Sequence, residues 1–172
     1  TVGFGLSEVD PLGAMNTSLL NGTLLGVGGF MNIASTAKKS VVLGTFTAGG
    51  IQTAVEDGKM VIKREGKLKK FVNKCTQVSF SAQDTVKDGR EVIYITERAV
   101  FKAVEGGLEL IEIAPGMDLQ KDILDHMEFT PIIPEGGPKL MPAEIFEEHW
   151  GGLGKYFYAE EEEKAEETKQ VA

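Results

Sequence analysis

The chain has 172 residues, 42% hydrophobic and 26% charged, with a formal net charge of −8, a mix that suits one α/β or α+β unit with a single core and argues against disorder throughout. The acidic balance excludes the basic stripe of a nucleic-acid binder, and the single cysteine, Cys75, excludes an internal disulfide or a thiolate metal cluster. No apolar run approaches the roughly 20 residues with which a helix spans a bilayer, so a reducing, cytoplasmic setting without nucleic-acid or membrane partners is expected.

Thr1 opens the chain directly inside an apolar run, as a cut through a larger domain would, and a partial chain is the expectation. Residues 2–9 read as a strand that ends in the turn Asp10-Pro11-Leu12-Gly13, with a brief second strand around 14–18. The glycine-rich stretch 24–29 reads as a loop, and 30–39 as a helix whose two terminal lysines suit the negative end of its dipole. Residues 40–47 have the β-branched, apolar pattern of a strand buried on both faces. Asp57-Gly58 between alternating segments predicts a hairpin over 51–62, and Gly106-Gly107 predicts another between 92–104 and 108–113. Asp118 is an N-cap for a helix over 119–127, with Leu119, Ile123, Leu124 and Met127 toward the core.

Beyond 133 the composition changes. Pro134, Pro138 and Pro142 with Gly136-Gly137 read as an extension over 134–159, with one short helix at 143–150. Residues 160–172 carry six glutamates against two lysines, half of the chain's net charge, and read as a solvated, disordered tail.

Gly26-Val27-Gly28-Gly29 is the first candidate site: ahead of a helix, its successive N–H groups can bind a negative oxygen, or its glycines can simply satisfy a structural turn. Asn16 either orients a carbonyl or carboxylate or forms an Asx turn. Glu97-Arg98 interrupts an apolar strand and reads as a structural ion pair, with buried-carboxylate acid–base work as the other reading. His126, His149 and Cys75 lack partners for catalysis and read as surface or packing residues. Lys67, Lys69, Lys70 and Lys74 either attract phosphates or solvate an edge strand.

Four blocks resemble, in order, the acetate or propionate CoA-transferase group of family I: Gly26-Val27-Gly28-Gly29-Phe30-Met31-Asn32-Ile33, Gly44-Thr45-Phe46-Thr47-Ala48-Gly49-Gly50, Tyr94-Ile95-Thr96-Glu97-Arg98-Ala99-Val100-Phe101 and Gly107-Leu108-Glu109-Leu110-Ile111-Glu112-Ile113-Ala114-Pro115-Gly116. The resemblance covers 1–133. It implies a three-layer α/β/α CoA-transferase-like domain, incomplete at its N-terminus, with antiparallel hairpins, matching most of the second of two halves. It further implies covalent transfer of CoA through a glutamyl-CoA thioester. Gly28 and Gly29 correspond to the oxyanion and CoA-contact loop, Gly26 to a CoA contact, and Asn16 to the asparagine that places the substrate. CoA and acyl-CoA are substrates there, with no permanently bound cofactor, and a short-chain carboxylate is the other substrate; a homo-oligomer is expected because a domain lacking its first part leaves apolar sheet surface without its cover.

Two departures matter. The family's nucleophilic glutamate lies in a glycine-rich motif upstream of Thr1, and neither Glu8 nor Glu97 has that context; Ala14 stands where relatives usually carry asparagine. The expectations are therefore a transferase portion completed by a missing N-terminal portion or a complementary subunit, or a noncatalytic subunit or assembly module of the same fold.

Overall fold

Period-two alternation builds the centre of the molecule. The computed structural model describes residues 1–154 apart from Asn21, Glu148, Gly151 and Leu153; the tail 160–172 and the end of the 134–159 extension lie outside the described residues. Val2–Gly5 (β1), Lys39–Leu43 (β2), Glu91–Ile95 (β3), Ala99–Val104 (β4), Gly107–Ile113 (β5) and Lys139–Leu140 (β6) form one mixed sheet in that order. β1, β2 and β3 run parallel, β4 and β5 continue as antiparallel hairpins, and β6 joins β5 in parallel.

The alternation sends Val42, Val92, Tyr94, Phe101, Leu108 and Leu110 to one face. There they meet two helices, Phe30–Ala34 (α1) and Ala82–Lys87 (α2), and the segments around Phe71 and Ile123. Phe71 stands between Phe46 and Phe101 with ring centroids 4.8 Å apart on each side. Each of these fully buried rings contributes about 1.5–3 kcal/mol of transfer free energy. Ile93, Ile95, Val100 and Ile111 point the other way and pack with Met60, Met141 and Phe146. The second face is thus covered by a two-stranded hairpin, Gln52–Glu56 and Lys59–Arg64, and a 3-10 turn at Ala143–Phe146. The α/β class holds, with helices on one side of the sheet and the hairpin on the other among the described residues.

Turns written in local sequence form where expected. Asp57 and Gly58 take φ of 51° and 71°, the pair of positive values a two-residue hairpin turn needs. The Asp10 side chain accepts from Leu12 N at 3.0 Å and Ala14 N at 2.9 Å, closing the predicted turn. Short strands Glu8–Val9 and Met15–Asn16 pair across it.

Elsewhere tertiary contacts changed the outcome. The predicted 30–39 helix spans five residues, because Ser35 and Thr36 hydroxyls bond back to Asn32 O at 3.0 Å and Lys39 is drawn into β2, 2.9 Å from Glu91. β2 is buried on one face only, leaving Leu43 exposed. The stretch 92–104 is two strands: Thr96 Oγ1 accepts from Ala99 N and donates to Ala99 O, both at 2.9 Å, closing a turn with no glycine, proline or asparagine to announce it. Asp118 does cap its helix, accepting from Lys121 N at 2.7 Å, but the segment is a π-turn, Leu119–Ile123, followed by a 3-10 turn, Leu124–His126. Of its predicted inward face, Ile123 and Met127 are buried. The 143–150 helix is a 3-10 turn ending at Phe146. Sequence reading passed over α2, whose Ser81 N-cap receives Asp84 N, and β6.

Candidate active site

The three parallel strands end level with one another, at Gly5, Leu43 and Ile95. Open α/β sheets bind ligands just beyond such carboxyl ends, where the chain must leave the sheet and side chains converge. Three departing segments do so here: Ser7-Glu8 after β1, Thr45-Phe46-Thr47 after β2 and Thr96-Glu97-Arg98 after β3.

The first segment builds the glycine loop from below. Asn16 is fully buried and its amide is fully engaged: Nδ2 donates to Glu8 Oε2 at 2.7 Å and to Leu19 O at 2.6 Å, while Oδ1 accepts from Ser18 N at 3.0 Å and Leu19 N at 3.1 Å. This knot holds Ser18, whose carbonyl accepts from Leu25 N at 2.7 Å and Gly26 N at 3.3 Å. Asn16 therefore acts on the loop through Ser18.

The loop itself is open. Gly26 and Gly28 have φ of 77° and 51°, values that L side chains rarely adopt, and nothing lies within 4 Å of where their Cβ atoms would stand. Phe30 N closes a turn on Val27 O at 3.0 Å. The N–H groups of Gly28 and Gly29 donate to no group among the described residues, and both residues are exposed. Gly29 has negative φ and its nearest would-be Cβ neighbour, Ile33 Cδ1, is 3.5 Å away, so neither backbone nor packing within the chain demands a glycine there. With α1 only five residues long, the loop offers individual N–H donors more than a helix dipole.

The other two segments meet at a buried arginine. Arg98 has no exposed side-chain surface; its guanidinium pairs with Glu65 at 2.7 and 3.1 Å and with Glu97 at 2.8 Å, donates to Asp122 O at 3.0 Å and lies 4.9 Å from the Phe46 ring centre. The expected Glu97–Arg98 ion pair is present, in the β3–β4 turn and not within a strand. Burial by itself raises the Glu65 pKa, but the Arg98 hydrogen bonds, the Thr47 hydroxyl, the Gly66 N–H and the Arg98 charge outweigh it and bring the group down to about 2. Glu97 Oε2 also accepts from Phe46 N at 2.8 Å, fastening the second segment to the third. Residues from four distant points of the chain thus meet in one buried network beyond the carboxyl ends of the parallel strands.

Within the predicted basic cluster, Lys69 Nζ donates to Asp125 O and Met127 O, both at 3.0 Å, and Lys70 Nζ donates to Leu6 O at 3.2 Å and Thr45 Oγ1 at 3.1 Å; Lys67 and Lys74 are exposed. His126 Nε2 lies 3.5 Å from Glu65, and His149 is exposed. No cluster of three metal-ligating side chains occurs among the described residues. Cys75 is buried with Sγ 3.3 Å from Ala14 O, and burial, with Asp10 and Glu8 adding to it, pushes its thiol up to about 12. Alkylation by iodoacetamide near neutral pH is accordingly expected to run on the order of 10²-fold slower in the folded chain than in urea; mass spectrometry showing equal rates would contradict the burial.

No family model matches the chain. Acetate CoA-transferase YdiF of Escherichia coli (strain K12) is 50% identical over 141 residues, covering 81% of this chain and 26% of the relative. Caffeate CoA-transferase of Acetobacterium woodii is 44% identical over 154 residues, covering 87% and 29%. The crystal structure of the E. coli O157:H7 acyl-CoA transferase YdiF in a thioester complex with CoA superposes with a TM-score of 0.84 at 46% identity, over 88% of this chain and 29% of that one. Over more than four fifths of its length the chain resembles family I CoA-transferases. It spans little more than a quarter of the length of these curated CoA-transferases. Sequence reading located the glycine loop by resemblance. It missed Glu65, whose signal lies in a contact 33 residues away along the chain, and it named Lys70 only within a basic cluster, without the contact to Thr45 25 residues away.

Proposed function

We propose that this chain supplies the oxyanion and CoA-contact loop of a transferase that moves CoA between a short-chain acyl-CoA and a free carboxylate. The observation carrying the reading is the pair of exposed N–H groups at Gly28 and Gly29 that donate to nothing among the described residues, on a loop anchored through Ser18 by the buried Asn16.

In the proposed sequence a glutamate carboxylate outside this chain adds to the acyl thioester carbonyl, and CoA thiolate leaves to give an acyl-glutamyl anhydride. The thiolate then adds to the glutamyl carbonyl and the acyl carboxylate departs, leaving a glutamyl-CoA thioester; the second carboxylate runs the steps in reverse. At each addition the carbonyl oxygen becomes negative, and donors aimed at it are worth about 3 kcal/mol apiece. Gly28 and Gly29 are the proposed donors, Gly26 a proposed CoA contact, and Asn16 their positioning residue. Residues 1–133 form the catalytic portion with 134–159 as its extension, completed by a further portion or subunit. CoA serves as substrate without a permanently bound cofactor, in a cytoplasmic homo-oligomer.

The test compares the isolated chain with a polypeptide extended through the coding sequence before Thr1, assayed for CoA transfer from acetyl-CoA to propionate, with mass spectrometry for the glutamyl thioester. Transfer by the extended form alone is expected. Activity of the isolated chain that survives Glu8→Gln and Glu97→Gln overturns the external nucleophile, and an extended form that binds acyl-CoA without forming a thioester identifies a noncatalytic module.

A further inference from the structure

A pocket of about 190 Å³ opens at the carboxyl end of β1, lined in part by Glu8 and Leu20. Its walls are apolar, from Leu6, Leu20, Ala48 and Leu68, and its charged lining includes Glu8 and Lys70. At about 30 Å³ per water-sized group it has room for about six such groups, well below the range of pockets for drug-sized ligands. That size suits a carboxylate on a short alkyl chain better than a nucleotide.

Lys70 supplies the polar contact. An ammonium has three N–H donors, and two are used, by Leu6 O and Thr45 Oγ1; the third has no acceptor among the described residues. Burial draws the lysine's pKa down, with the Glu97 charge opposing, so a bound anion would return stabilisation that desolvation removed. The like charge in the pocket, Glu8, is already committed: its oxygens accept from Asn16 Nδ2 at 2.7 Å, Thr76 N at 2.9 Å and Thr76 Oγ1 at 3.0 Å. Lys69 also lines the pocket, but its ammonium is engaged by Asp125 O and Met127 O, which leaves Lys70 as the donor.

We infer that this pocket seats the short-chain carboxylate substrate, with Lys70 holding the carboxylate and the leucine walls holding the alkyl chain. The inference rests on the transferase reading above. It also gives the Asn16 knot a second role: the same amide ties Glu8, in the pocket wall, to Leu19 and Ser18, from which the glycine loop springs. Pocket and oxyanion loop are therefore held in one register.

The experiment is an amide NMR titration of the ¹⁵N-labelled chain with propionate, with propionamide as the neutral isostere and inorganic phosphate as the competing anion. Saturable shifts at Leu6, Ser7, Glu8 and Leu68 to Lys70 are expected with propionate and absent with propionamide. Lys70→Met is expected to weaken propionate binding at least about tenfold, as loss of a charge-assisted hydrogen bond does, while Lys70→Arg retains it; a dispersed spectrum certifies that each variant is folded. Shifts shared with propionamide, tighter binding of phosphate at the same amides, no saturation at millimolar propionate, or a folded Lys70→Met variant with unchanged affinity would each overturn the assignment. CoA added separately reports on the Gly28 and Gly29 amides, so the pocket can fail while the transferase reading stands, and the reverse.

Discussion

Gly29→Val, introduced into an enzyme that contains this chain, is expected to lower kcat for CoA transfer by about 10²-fold while leaving thermal stability nearly unchanged. The separation of effects is what gives the experiment its force. Gly29 has an ordinary negative φ, and an added Cβ meets only the flexible end of Ile33 at 3.5 Å, so the fold accommodates a side chain. What a valine takes away is the space directly over two N–H groups that donate to nothing else among the described residues. Gly28 is a poorer target: its φ of 51° would strain any L residue by about 1–2 kcal/mol, mixing a folding effect with a catalytic one. Wild-type turnover in a correctly folded Gly29→Val enzyme would remove the loop from the chemistry. A large fall in melting temperature would show instead that the loop is part of the packed structure.

The largest stability effect is expected at Arg98. Arg98→Met leaves Glu65 and Glu97 facing one another without their shared cation and removes the donor to Asp122 O. Breaking a buried pair in this way costs about 3–5 kcal/mol. Because Glu65 keeps 25% of its side-chain surface in water, about 3 kcal/mol is the expected loss, a large share of the roughly 5–15 kcal/mol that holds a domain together. The urea midpoint at neutral pH reads it; a shift within error would mean that the network contributes little.

The same pair predicts acid sensitivity. The folded pKa of Glu65, about 2, lies below its ordinary 4.5, so the folded state binds this proton less readily than the unfolded chain. Its contribution is therefore fully present above pH about 4.5 and is lost as pH falls toward about 2. In Arg98→Met the hydrogen bonds and charge of Arg98 no longer lower the Glu65 pKa, leaving the Thr47 hydroxyl and the Gly66 N–H against burial, and this part of the acid loss should shrink. Urea midpoints measured at several pH values for both proteins make the comparison.

Residues with local instructions behaved as their sequence implied. Asp57-Gly58 and Gly106 turned because their φ values are intrinsic to those residues, and Asp10 and Asp118 bonded to backbone N–H groups two to four positions away. The glycine loop was located by its resemblance to a family, and its amides stand open at the surface. Less of the remaining site was legible. Nothing in Thr96-Glu97-Arg98 announces a turn, since the turn depends on Thr96 bonding to Ala99 while Arg98 is captured by Glu65. Asn16 carried a substrate-placing role by analogy, yet its amide is consumed beneath the loop, which only the positions of Glu8, Ser18 and Leu19 reveal.

From sequence alone came the α/β class, the turn positions, the glycine loop and the packing role of the buried Cys75, because each depends on a residue's own geometry, short-range alternation or a recognisable block. The tertiary structure decided where helix 30–39 stopped, that 92–104 is two strands, and that Glu65, Arg98, Asp122, Lys70 and Thr45 gather at the carboxyl ends of the parallel strands. The physical reason is range. A φ preference or an Asx turn acts within a few residues, whereas an ion pair or a pocket wall exists only once parallel strands, joined by long crossovers, have brought distant segments to the same edge.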